Sequence, residues 1–119
     1  MQPATQHTIN TEKNLCIQNC IDCSRTCLET IAYCLQQGGA HSNESHIRLL
    51  HDCVEICQTS ADFMIRSSNY YPQTCGICAA ICNATADACE QVVHGDKMMQ
   101  ECADMCRRTA ESCNKCSNQ

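Results

Sequence analysis

Fifteen cysteines stand at positions 16, 20, 23, 27, 34, 53, 57, 75, 78, 82, 89, 102, 106, 113 and 116, and within the four groups 16–34, 53–57, 75–89 and 102–116 every gap is 3, 4 or 7. Gaps of 3 and 4 place side chains on one stripe of an α-helix, and their alternation is the inward seam of a helical bundle. A disulfide framework or a zinc ribbon would carry its cysteines on loops rich in Gly and Pro, whereas the only such residue inside the groups is Gly76. The thiols are therefore expected to line the inside of helices. Ordinary core residues could not replace them: Val, Ile, Leu and Phe number 18 of 119, about 15% of the chain, below what a packed core normally requires.

The punctuation between groups predicts four helices, near 12–36, 44–68, 73–94 and 97–115. Thr11 with Glu12 serves as the first cap, Gly38-Gly39 as a stop, Ser42 or Asn43 as the second cap, Pro72 as an opener and Asp96 as the last cap. A flexible segment over 1–10 and one bundle over 11–116 follow, since a chain of this length forms a single core. Short loops make the expected fold all-α, an antiparallel up-down-up-down four-helix bundle with a Cys-lined core. An internal repeat supports two facing hairpins: Cys20, Cys23, Cys27 and Cys34 return 55 residues later as Cys75, Cys78, Cys82 and Cys89. Cys53, Cys57 and Met64 match Cys102, Cys106 and Cys113 at an offset of 49, so Met64 stands where its counterpart has a thiol.

Several partners are excluded by composition. The formal net charge is −5 with only 8 Lys and Arg, and the aromatics are three Tyr and one Phe, so neither nucleic acid nor an anionic membrane surface is indicated. No apolar run is long enough to span a bilayer. The opening residues lack the basic and apolar regions of a signal peptide, which predicts a cytoplasmic location where thiols stay reduced. In that setting dense cysteine indicates metal.

Charge selects the metal. Four thiolates on a divalent ion leave a net −2, and several such sites in one dry core repel. A monovalent soft ion approaches neutrality at one thiolate each, and thiolate and thioether ligands favour cuprous copper. The expected ligands are Cys16, Cys20, Cys23, Cys27, Cys34, Cys53, Cys57, Met64, Cys75, Cys78, Cys82, Cys89, Cys102, Cys106, Cys113 and Cys116, with Cys16 and Cys116 the least secure because they sit at helix ends. Multiple Cu(I) ions per chain, and a store rather than an enzyme, follow from so many sulfurs. The alternative is an iron-sulfur or thiol-redox electron carrier, because Cys-x2-Cys occurs at 20–23, 75–78 and 113–116; a bundle stapled by disulfides is a third reading.

The spacing Cys16-x3-Cys20-x2-Cys23-x3-Cys27-x6-Cys34, its partial return from Cys75 to Cys89, and Cys102-x3-Cys106-x6-Cys113 resemble the bacterial copper storage proteins over roughly residues 14–116. The resemblance implies a cytosolic bundle that sequesters cuprous ions and assembles into homo-oligomers, commonly tetramers. Helix 2 departs from it in having only Cys53 and Cys57, with Met64 at the third position. One end of an antiparallel bundle would collect His41, His46, His51, His94, Met98 and Met99, and neutral imidazole and thioether groups there suggest a mouth for the metal, His46 and Met99 lying on the extrapolated seams. A second stripe, Ile17, Ile21, Leu28, Ile31 and Leu35 with Ile77, Ile81 and Ala88, is expected to pack mostly between helices, with an oligomer contact as the other reading. Asp22, Glu29, Asp52, Glu55, Asp62 and Asp104 are expected on a solvated face.

Overall fold

The computed structural model describes residues 5–92 and 96–119. Helix α1 spans Gln6–Gln37, α2 Glu44–Ile65, α3 Tyr71–Val92 and α4 Lys97–Ser117, with a short 3-10 turn, Gly39–Ser42, between α1 and α2. Each helix packs against two neighbours, α1 and α3 both lying against α2 and α4. The result is an up-down-up-down four-helix bundle measuring 49 × 26 × 17 Å. Among the described residues there is no strand, and no helix is long and apolar enough to cross a membrane.

Local chemistry sets the helix ends. Asn43 accepts a hydrogen bond from the backbone N–H of Ser45 at 3.1 Å, and Asp96 Oδ1 accepts from that of Met99 at 3.2 Å, so both expected caps satisfy otherwise orphaned donors. Gly38, with φ of 69°, closes α1 by donating to the Cys34 carbonyl at 3.1 Å, a left-handed stop that glycine adopts without steric cost. The start of α1 differs from expectation. Thr5, not Thr11, caps it by accepting from the Thr8 N–H at 3.1 Å, while the Thr11 hydroxyl turns back onto the His7 carbonyl at 2.8 Å as an interior helical threonine does. Residues 6–10 are thus helical rather than a free segment. Helix α2 ends at Ile65, earlier than the expected Ser68, because Ser67 takes φ of 55° and the Ser68 N–H reaches back to the Phe63 carbonyl at 2.9 Å.

The core is sulfur. All fifteen cysteines have 0% exposure. Around them sit Leu50, Met64 and Met99, small Ala residues, and the fully buried hydroxyls of Thr30, Ser60, Thr85 and Thr109. Those hydroxyls donate to backbone carbonyls, of Thr26, Thr74, Ile81 and Met105 respectively, at 2.7–3.1 Å, so they add no unsatisfied polarity to the interior. The second stripe splits. Ile31 is buried and Ile17 and Ile81 partly so. Ile21, Leu28, Leu35 and Ile77 are 45%, 51%, 59% and 55% exposed, which corrects the expectation of interhelix packing for these four: the thiol seam fills the interior, leaving the adjacent stripe on the flank. The six acidic residues assigned to a solvated face are all exposed.

Candidate metal centre

Helical geometry alone brings sulfurs on one helix within reach of one another, and antiparallel packing brings the seams of four helices together. The resulting distances are short. Cys113 Sγ lies 3.5 Å from Cys16 and 3.6 Å from Cys20. Cys57 lies 3.7 Å from both Cys78 and Cys82, and Cys53 3.7 Å from Cys82. Cys23 is 3.8 Å from Cys106 and 4.0 Å from Cys53, and Cys27 is 3.9 Å from Cys106. Four groups have every sulfur within 4.8 Å of the others: Cys23, Cys53, Cys57 and Cys82; Cys23, Cys27, Cys53 and Cys106; Cys16, Cys20 and Cys113; Cys20, Cys57 and Cys78. They share members, so the groups form one continuous column.

These separations suit a soft ion. With metal–sulfur bonds of ~2.3 Å as in zinc thiolates, three sulfurs around one ion stand ~4.0 Å apart and two in line ~4.6 Å. The observed separations of 3.5–4.0 Å come within about 0.5 Å of the three-sulfur arrangement, and the linear one requires them to open by about 1 Å at most. Among the described residues no Lys or Arg is buried, so negative charge on the column's thiolates must be balanced by metal or removed by protons. Burial raises the Cys34 thiol to about 11, helped by Cys102 and Asp96. At Cys116 the contact with Cys16 lowers the thiol, but Cys75 and burial outweigh it and set about 12. In mid-column the thiols share protons: Cys106 is pushed up chiefly by Cys102, and Cys102 is pulled down chiefly by Cys106. All fifteen cysteines are unpaired thiols, and the three Cys-x2-Cys pairs lie inside helices with no exposed sulfur, which leaves no accessible dithiol for redox exchange.

The sequence profile of the copper storage protein family matches residues 9–118. This chain belongs to that family. An uncharacterized cysteine-rich protein of Bacillus subtilis strain 168, YhjQ, is 34% identical over 98 residues, 82% of this chain and 89% of the relative. A crystal structure of a Nitrosospira multiformis protein is 44% identical, with a TM-score of 0.86 over 92% of this chain and 97% of that one. The Cu(I)-bound copper storage protein BsCsp3 of B. subtilis is 31% identical, with a TM-score of 0.82 over 89% of this chain and 98% of its own.

Within this copper storage fold, the end where α1 and α3 finish carries Cys34, Cys89, Cys102, His46 and Met99. His46 is 5% exposed, with Nε2 3.7 Å from Cys34 Sγ, and Met99 Sδ is 3.7 Å from the same sulfur. The His46 Nδ1 is a buried polar atom with no hydrogen-bond partner, and burial lowers the pKa of the ring, favouring neutral imidazole. The other residues expected at this end are placed differently. His41 Nε2 is engaged with Asp96 Oδ2 at 2.9 Å, His51 is exposed on α2, and Met98 is half-buried in a groove with Tyr33, Asp96, Lys97 and Glu101. His94 lies outside the described residues. Sequence reasoning missed Tyr33, whose hydroxyl donates to the same Asp96 oxygen at 2.9 Å and whose ring meets His41 edge-on at 5.6 Å. At the opposite end Met64 Sδ lies 3.6 Å from Cys75 Sγ, and the Cys116 thiol reaches the Glu12 carbonyl at 3.7 Å. Cys16 and Cys116, expected to be least secure, are as fully enclosed as the rest.

Proposed function

We propose that this chain stores several cuprous ions on the thiolates of its bundle core and serves as a buffer rather than a catalyst. The observation that carries the reading is the continuous column of fully buried sulfurs, ten of which fall in groups with mutual distances within 4.8 Å. A structural site needs four ligands and a catalytic site leaves one position open; a shared column of this size serves neither need and gives capacity. Each ion entering displaces thiol protons, and one univalent ion per thiolate leaves the dry interior neutral, so loading proceeds without accumulating charge. The ligands in this reading are the fifteen cysteines, with His46 and Met99 beside Cys34 forming the mouth through which ions pass inward.

A reducing compartment, the cytoplasm, fits a store whose ligands must all remain free thiols. Self-association into a homo-oligomer, a tetramer in the resemblance drawn above, is favoured by Ile21, Leu28 and Leu35, spaced seven apart on α1 and exposed to solvent.

Anaerobic titration of the reduced apo protein against a cuprous-specific chelator tests the storage reading. More than roughly six ions per chain, without visible colour, is the expected result for univalent copper on soft thiolates. Saturation at one or two ions, or a brown iron-sulfur chromophore in freshly isolated protein, overturns it.

A further inference from the structure

The sulfur column accounts for only one edge of the His46 ring. Nε2 faces the Cys34 thiol at 3.7 Å, while Nδ1 is buried with no hydrogen-bond partner among the described residues. With the Nε2 lone pair turned to that thiol, the proton of the neutral ring belongs on Nδ1. A buried N–H without an acceptor is costly, and native interiors rarely leave one unmatched. The same residue lines a cavity of about 310 Å³ between the start of α2 and the end of α3. Asn43, Ser45 and Gln91 form its exposed rim, Leu49, Ala88 and Val92 its partly buried walls, and His46, 5% exposed, its most buried face. Small-molecule sites begin at roughly this size and share this make-up, apolar walls with a few polar groups. No Lys, Arg, Asp or Glu is among these lining residues, so the cavity suits a neutral or zwitterionic molecule rather than a polyanion.

We propose that this cavity receives the carrier of the metal, a low-molecular-mass thiol that brings a cuprous ion as its thiolate complex and has a carboxylate or carbonyl oxygen to accept from His46 Nδ1. The site rests on the storage reading for its metal. Thiolates are preferred ligands of cuprous copper, so where small thiols abound the ion arrives with one attached. Nδ1 and Nε2 flank a single ring carbon, which lets one small molecule engage both. In the exchange, the Nε2 lone pair first binds the ion of the incoming complex. A copper–sulfur bond then forms to Cys34 and the copper–sulfur bond to the carrier breaks; the Cys34 proton passes to the departing thiolate, which leaves as a free thiol. Copper stays univalent and nothing is oxidised or reduced. The orphaned donor thereby selects the carrier, and Nε2 and Cys34 take its cargo.

Stopped-flow loading of the reduced, copper-free chain tests this with the cuprous complexes of cysteine and of cysteamine, which share a thiol and an amine and differ in the carboxylate. The cysteine complex is expected to deliver the first ion several-fold faster, at a rate that saturates as the complex is raised, whereas the cysteamine rate stays lower and linear. Ala88→Leu, at a partly buried wall position on α3, fills the cavity and is expected to bring the cysteine-to-cysteamine rate ratio to about one. Equal rates for the two carriers on the wild-type chain overturn the proposal, as does a ratio that Ala88→Leu leaves intact. The wild-type comparison decides the matter even if the variant folds poorly. Failure of storage has a separate signature: total uptake of one or two ions sinks that reading, while the carrier ratio is read on the first ion and still decides for the cavity.

Discussion

At the scale of single residues, position in the column decides what a cysteine contributes. Cys57 belongs to two of the overlapping groups and contacts Cys78 and Cys82 at 3.7 Å, whereas Cys116 sits at the end with its thiol on a backbone carbonyl. Cys57→Ala is expected to lower cuprous capacity by about two ions and apo stability by about 1 kcal/mol through the small cavity it leaves; Cys116→Ala is expected to lose at most about one ion. Chelator-competition counts on the two variants side by side check this, and equal losses would mean that copper does not bridge the groups. His46 acts on rate instead. Its unpaired Nδ1 and its contact with Cys34 make His46→Ala load several-fold more slowly from a chelated cuprous donor with unchanged final capacity, as stopped-flow transfer would record. Burial favours the neutral ring, which offers a lone-pair nitrogen to an incoming cation without a positive charge to repel it.

Among the elements, the join between the 3-10 turn and α4 combines a helix cap with a clasp. Asp96 caps α4 through Oδ1 and accepts from His41 and Tyr33 through Oδ2, and the His41 hydrogen bond is the main reason its carboxyl lies below the usual range. Asp96→Ala is expected to cost about 1–2 kcal/mol, read from the urea midpoint, because it removes a cap and orphans two donors. The sign with pH is fixed: a depressed folded pKa gives stability that is present above the ordinary value of 3.8 and is lost as pH falls below it. The gap between wild type and Asp96→Ala should therefore narrow in acid, and a gap independent of pH would assign the loss to packing. The cap half of this clasp was readable from an Asp placed before a helical seam, and so were the four thiol stripes, because spacing of 3 and 4 is a local property. Tyr33 and His41 were not readable as partners of Asp96, since they stand 63 and 55 residues away and neither carries a pattern. Thr5 was missed as the first cap because Thr11 with Glu12 offers the same chemistry nearer the seam, and only packing extends α1 past it. Exposure of Ile21 and Leu28 likewise depends on how far α1 rotates toward its neighbours, which periodicity leaves open.

For the whole molecule, the exposed apolar stripe and the protonated core each have a consequence. If Ile21, Leu28 and Leu35 face a second copy, Leu28→Glu shifts the species seen by sizing with light scattering to a monomer without altering copper capacity per chain; a wild-type monomer would leave that stripe simply exposed. The core's protons tie stability, pH and metal together. Raised folded pKa values of about 11 at Cys34 and about 12 at Cys116, against the ordinary 9.0, give stability that is full below pH 9 and is lost as pH climbs through those values, because the thiolates are then favoured in the unfolded chain. The apo protein is thus expected to melt progressively earlier above pH 9. Copper reverses the dependence, since each thiolate–copper bond releases a proton: affinity should rise with pH by about tenfold per unit for each thiol deprotonated. An ion bound only by the folded state at a thousand times its dissociation constant adds about 4 kcal/mol, so several ions should raise the melting temperature by well over 10 °C. Calorimetric titration in buffers of differing ionisation enthalpy counts the released protons, and scanning calorimetry with and without copper measures the shift. Uptake with no proton release would mean that the ions do not reach the buried thiols.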